Sequence, residues 1–157
     1  SFTMGLLCDP EHPALANFPT EMHTNWQWWD VLRPSRVLNL DGMQPQPAPI
    51  VRMIDSFVGN RTLSVICEAR LSNGRILITS LDLTANLEDR HAARQLRHSL
   101  QAYVCSDAFQ PQVEITAKDV SQLLIAHQKE EKRETRKEVV ERLERIPEQK
   151  NNGQIVQ

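Results

Sequence analysis

The chain has 157 residues, 40% apolar and 24% charged, the ordinary composition of a globular domain with enough length for one sizeable core. Its formal net charge of -2 gives no electrostatic reason to expect nucleic acid or an anionic membrane as a partner. No stretch approaches the roughly 20 apolar residues that cross a bilayer, and the opening SFTMGLLCDPEHP has no basic region ahead of a long apolar run, so neither a membrane span nor a signal peptide is expected.

Apolar residues occur at once in MGLL, as though the chain were joined mid-domain. A piece of a longer polypeptide is the expectation, and an export signal upstream would make the parent periplasmic or secreted. The first segment, to about Leu32, mixes loop and helix, punctuated by Pro10, Pro13 and Pro19. Thr20 or Thr24 is the expected cap of a short helix through NWQWWDVL. RVLNLD (36–41) reads as a short strand. GMQPQPAP (42–49) reads as a loop, because its prolines lack backbone donors and favour extended backbone. IVRMIDSF (50–57) reads as a further strand.

Between Arg61 and Leu83 the pattern is a hairpin. Leu63, Val65, Cys67 and Ala69 alternate with more polar neighbours, Ser72-Asn73-Gly74 supplies the turn, and RILITSLDL returns. Ile76, Leu77 and Ile78 run without alternation, which predicts a second strand covered on both faces. Residues 87–106 read as an amphipathic helix capped by Asn86, with Ala92, Ala93, Leu96, Leu100, Tyr103 and Val104 on its apolar stripe. After Pro111, Thr116-Ala-Lys-Asp119 resembles a capping box. It leads a charged helical run to about Ile146, stopped by Pro147. The end, EQKNNGQIVQ, is expected to be disordered.

The tryptophans carry the most distinctive chemistry. Trp26, Trp28 and Trp29 fall within four positions, with His23, Asn25, Gln27 and Asp30 beside them. Indoles stack on the C–H faces of sugars, and the flanking polar groups suit hydroxyls. The same residues also suit a core or an interface. On a helix Trp26 and Trp29 share a face and Trp28 points elsewhere; on a strand Trp26 and Trp28 would pair. Carbohydrate binding through Trp26, Trp28, Trp29, Asn25 and His23 is therefore weighed against plain burial.

Glycoside hydrolysis needs two opposed carboxylates. Asp41, Asp55 and Asp82 lie at predicted strand ends, where aspartate is also an ordinary turn residue. The three cysteines, Cys8, Cys67 and Cys105, show no CxxC spacing and no glycine-flanked elbow, so buried free thiols are expected. His12 and His23 with Asp9 and Glu11 fit no metal-ligand spacing, and no glycine-rich phosphate loop occurs. No catalytic residue, metal site or cofactor is expected.

GLLCDPEHPALANFPTEMHTNWQWWDVL, PAPIVRMIDSF, NRTLSVICEARLSNGRILITSLDL and ARQLRHSLQAYV together resemble the C-terminal region of large bacterial glycoside hydrolases of the family 2, β-galactosidase-like, sugar-binding-domain type. The resemblance covers roughly residues 4 to 110. It implies the later part of a class I glutamine amidotransferase-like domain, a flavodoxin-like α/β sandwich. It supplies no catalytic residue, since no Asn-Glu pair and no nucleophile elbow occurs here.

The expectation is thus an α/β fold, a partial flavodoxin-like sandwich with an antiparallel hairpin, over residues 1–110. A charged helical tail (111–147) and a disordered end (148–157) follow. The expected role is a noncatalytic accessory module with a structural or weak sugar-binding function. The alternatives are a small hydrolase using Asp55 and Asp82, or an interaction module acting through the tail. The expected partners are the remainder of a larger hydrolase, a second copy or a glycan, with no nucleic acid and no membrane.

Overall fold

A computed structural model describes residues 4–124 and Lys137. Of the charged helical run expected to about Ile146, residues 117–124 are described and helical; the rest of it, apart from Lys137, and the end expected to be disordered lie outside the described residues. The compact unit that carries the fold spans Ser1–Leu123, so it extends past residue 110.

The elements in chain order are β1 (Gly5–Cys8), a 3-10 turn (Pro13–Leu15), α1 (Trp26–Leu32), β2 (Leu38–Asn39), β3 (Ala48–Ile54), β4 (Leu63–Leu71), β5 (Gly74–Thr79), α2 (His91–Val104) and β6 (Glu114–Ile115). The six strands among the described residues join one mixed sheet, so the fold is α/β. β1 pairs with β3, β3 with β4, and β4 with both β2 and β5, all antiparallel. β6 runs parallel to its neighbour β4. The expected flavodoxin-like sandwich is built on a parallel sheet. The register here is antiparallel wherever short loops join neighbours, because a short loop can only turn a strand back on itself.

β4 is the central strand. Ile66, Cys67 and Glu68 pair with β3 on one side and with β5 on the other. Leu63 through Ala69 are all buried, whereas β5 is partly exposed along its length. This reverses the expectation from the unbroken Ile76-Leu77-Ile78 run, which made β5 the covered strand. Within β4 the expected alternation is broken because the β3–β4 register shifts: Val51 pairs with Ile66 but Arg52 with Ser64. That bulge moves side chains between faces. Leu63 and Ile66 thus share the main core, while Cys67 joins a second cluster.

The main core lies between the sheet and the helical layer of α1, α2 and the 3-10 turn. It contains Leu6, Leu15, Phe18, Trp28, Val51, Ile66, Leu96 and Tyr103 among others. The second cluster holds Leu38, Leu40, Met43, Cys67 and Leu123. Leu123 and Ile115 are buried in the unit, which is why the residues after 110 belong to it.

Local boundaries differ from expectation in ways that tertiary bonds explain. α1 begins after Asn25, which makes no side-chain cap bond. Thr24 Oγ1 instead accepts from Leu6 N at 3.0 Å, and Thr20 Oγ1 accepts from Trp28 Nε1 at 2.7 Å. Asn86 sits in a turn at φ 50° and α2 starts four residues later than the expected helix. The strand expected over 36–41 is reduced to Leu38–Asn39. The one expected over 50–57 starts earlier, at Ala48, and takes in Pro49 of the expected loop. The capping box forms as read: Asp119 N donates to Thr116 Oγ1 at 3.2 Å, and Thr116 N to Asp119 Oδ2 at 2.8 Å.

Candidate functional site

α1 divides the three tryptophans by helical geometry. At about 100° per residue, Trp28 and Val31 fall on one side and Trp26, Trp29 and Arg33 on the other. Trp28 is fully buried, edge-on to Phe18 at 5.0 Å, with its indole N–H satisfied by Thr20. Its burial fixes the helix, and Val31 completes the inward face. Trp26 and Trp29 are 90% and 63% exposed, so this pair faces solvent. Residues three apart on a helix hold their Cβ atoms roughly 5–6 Å apart, which makes the two indoles one surface.

Side-chain bonds tie α1, which carries that surface, to its neighbours. The Arg90 guanidinium donates from Nε to Asp30 Oδ1 at 3.4 Å and from Nη2 to the Asp30 carbonyl at 3.3 Å. The same side chain, 15% exposed, reaches Asp82 Oδ2 at 3.3 Å. It therefore ties α1 to the loop that precedes α2. Gln27 Nε2 donates to the Pro19 carbonyl at 2.5 Å and closes the other end. Pro34 follows the helix, and Ser35 Oγ donates to the Val31 carbonyl at 2.7 Å.

The polar residues expected beside the indoles have these surroundings. His23 is exposed, 3.2 Å from Glu21 Oε2, and its backbone bridges Leu7 along the outer edge of β1. Asn25 Oδ1 is shut off from solvent without a hydrogen-bond partner among the described residues, as is Asp30 Oδ2. Neither oxygen is placed to bond a ligand lying on the outer indole faces. The structure thus brings Trp26 and Trp29 together at the surface and gives Trp28 to the core.

The carboxylates considered for hydrolysis all accept hydrogen bonds from neighbouring residues. Asp55 Oδ2 accepts from Arg61 Nε and N, each at 2.9 Å, and Oδ1 accepts from Arg61 Nη2 and Ser56 N. The Arg61 side-chain bonds, then its backbone N–H, hold the Asp55 carboxyl well below the usual carboxylate range. Asp82 accepts from Ala85 N, Thr84 N and Thr84 Oγ1, which lower its pKa as well. A general acid needs the opposite shift. Asp41 accepts from Thr62 N at 3.0 Å.

Cys8 and Cys67 are buried, whereas Cys105 is exposed, contrary to the expectation of three buried thiols. Burial, with the Glu68 charge adding, pushes the Cys67 thiol up to about 12. Burial also raises Cys8, with Asp9 contributing. Neither supplies a thiolate nucleophile near neutrality. Among the described residues no group of three metal-ligating side chains comes together, and no helix is long and apolar enough to cross a membrane. Sequence reading passed over Arg75 and Arg97, which the hairpin and α2 bring to a single groove. They are 22 positions apart, and no spacing rule relates them.

Residues 1–125 match a protein family described as a domain of unknown function (DUF8487), and the chain belongs to that family. No curated protein matches it.

Proposed function

We propose, from a family membership that brings no activity with it, that this chain is a noncatalytic recognition module whose contact surface is the Trp26–Trp29 indole pair. The observation that carries the proposal is the split of the cluster. One indole is fully buried and anchors the helix, while two are exposed on its opposite face. Large exposed aromatics on a short rigid element supply contact area at low conformational cost. The lowered, hydrogen-bonded aspartates support the noncatalytic half.

The ligand we propose is a glycan, and the larger partner is the remainder of a family 2-type glycoside hydrolase. The support for both is the sequence resemblance over residues 4–110, together with the fit of an indole face to a sugar ring. The amidotransferase-like part of that resemblance has one supporting feature, the parallel β4–β6 pair reached through α2. The antiparallel pairs weigh against it.

The test is a titration with galactosides and plant-glycan oligosaccharides, followed by tryptophan fluorescence. A saturable change is expected that is lost in Trp26→Ala and in Trp29→Ala. No change at millimolar sugar would remove the glycan, and turnover of a chromogenic glycoside by the pure chain would remove the noncatalytic reading.

A further inference from the structure

On the far side of the molecule's central strand lies a second feature, independent of the indole pair. β5 pairs with β4 on one side, and among the described residues no strand pairs with its other side. In the hairpin, Leu71–Gly74 closes the two-residue turn, so Ala69–Ile76 and Cys67–Ile78 continue the hydrogen-bonded pairs. The backbone N–H and C=O groups of Arg75, Leu77 and Thr79 therefore point outward. Arg70, opposite Arg75, shows the same alternation on the far edge of β4, where its N–H donates to the Val113 carbonyl at 2.7 Å.

The open edge borders a groove of about 360 Å³ between β5 and α2. Leu77, Leu100, Val104 and Phe109 supply apolar lining. Arg75 lies beside Phe109, its Nη1 donating to the Phe109 carbonyl and its guanidinium 5.9 Å from the ring centroid. Arg97 stands seven residues before Val104 on α2, roughly 10 Å away along the helix axis. The Arg97 side chain has no hydrogen bond or ion pair among the described residues, and no acidic side chain lines the groove.

We propose that this groove binds an extended acidic peptide that adds to β5 as a further strand. The open edge would hydrogen-bond its backbone, and alternate side chains would enter the groove. In a strand, residues two apart share a face, and four residues span roughly 13 Å. An acid–x–apolar–x–acid pattern would offer an apolar side chain to Leu77 and Leu100 and carboxylates to the two arginines that line the groove. Charge complementarity selects this occupant over a second copy of the chain, which would bring further arginines to the same edge.

The test uses the full chain and a fluorescein-labelled peptide, Ser-Glu-Thr-Leu-Thr-Glu-Ser, followed by anisotropy. Saturable binding is expected, weakened at least tenfold when both glutamates become lysine and at least tenfold in Arg97→Glu. Arg97→Glu should bind the lysine peptide better than the parent chain does. That gain separates a charge effect from misfolding. N-methylation of alternate peptide amides, which blocks strand pairing, should abolish binding. No binding at millimolar peptide, equal binding of the lysine peptide, or indifference to N-methylation would each overturn the proposal. So would a dimer joined through β5 that excludes the peptide.

Discussion

Asp55 and Arg61 face each other across the β3–β4 loop in a two-point ion pair, with Oδ2–Nε and Oδ1–Nη2 both at 2.9 Å. The Asp55 side chain is 3% exposed, and a Cβ on Gly59 would stand 2.1 Å from its Oδ2. The loop therefore closes around the carboxylate, and Phe57 and Val58 are left on the outside, 97% and 91% exposed. A depressed folded-state pKa contributes stability above the unfolded value, which is lost as pH falls. Urea unfolding at a series of pH values should show stability declining below about pH 4. In Asp55→Asn that contribution should be missing at neutral pH, and the acid slope should be shallower. An unchanged slope would mean that Asp55 is not the group responsible.

The Tyr103 hydroxyl donates to Glu68 Oε2 at 2.7 Å, where both residues are buried. Burial, then the hydrogen bond to Glu68, raises the Tyr103 pKa. The hydroxyl stays protonated in the fold, so its contribution is present at neutral pH and is lost as pH climbs above about 10. Tyr103→Phe keeps the ring contacts with His12 and Phe109 but strips Glu68 of its donor. A loss of about 1–3 kcal/mol is expected in chemical denaturation. A neutral result would show that Glu68 finds another partner.

Ser72 occupies φ 52° in the two-residue hairpin turn. Left-handed backbone costs a residue with a Cβ about 1–2 kcal/mol, and glycine escapes it. Ser72→Gly should stabilise the protein by about 0.5–1 kcal/mol, after allowing for the greater freedom of glycine in the unfolded chain. A drop in the denaturation midpoint would contradict this account of the turn.

Trp28 and its two neighbours should separate cleanly in stability measurements. Trp28→Ala removes a fully buried ring, its contact with Phe18 and the Thr20 hydrogen bond, and should cost about 3–5 kcal/mol. Trp26→Ala and Trp29→Ala should stay within about 0.5 kcal/mol of the parent. Equal losses at all three positions would place the indole pair in a packed interface.

Thiol labelling of the native protein should stop at one fast-reacting group, Cys105. Cys67, with a pKa of about 12 inside β4, should react only on unfolding. Cys8 should follow it, since its Sγ donates to the Glu21 carbonyl at 3.3 Å in a buried position. Cys105→Ser should remove the fast phase.

Much of this architecture is written locally. The Ser72-Asn73-Gly74 turn between two apolar runs declares the β4–β5 hairpin because turn chemistry and strand alternation act over a few residues. The Thr116–Asp119 box declares a helix start for the same reason. The α2 stripe of Ala93, Leu96, Leu100 and Tyr103 is buried as its spacing of three and four requires. Sequence periodicity alone also established that the three indoles could not share one face.

Only the tertiary structure decided which indole went inward. That choice belongs to Phe18 and Thr20, ten and eight residues upstream of Trp28, which no helical spacing connects to it. It likewise decided that β4 rather than β5 is covered on both faces. Coverage depends on what stacks above and below a strand, and a bulge resets the alternation midway. The groove of Arg75 and Arg97 exists because a hairpin and a later helix dock together. Packing free energy sums over contacts distant in the chain, so local pattern fixes the elements and their amphipathic faces, while the fold assigns each face its neighbour.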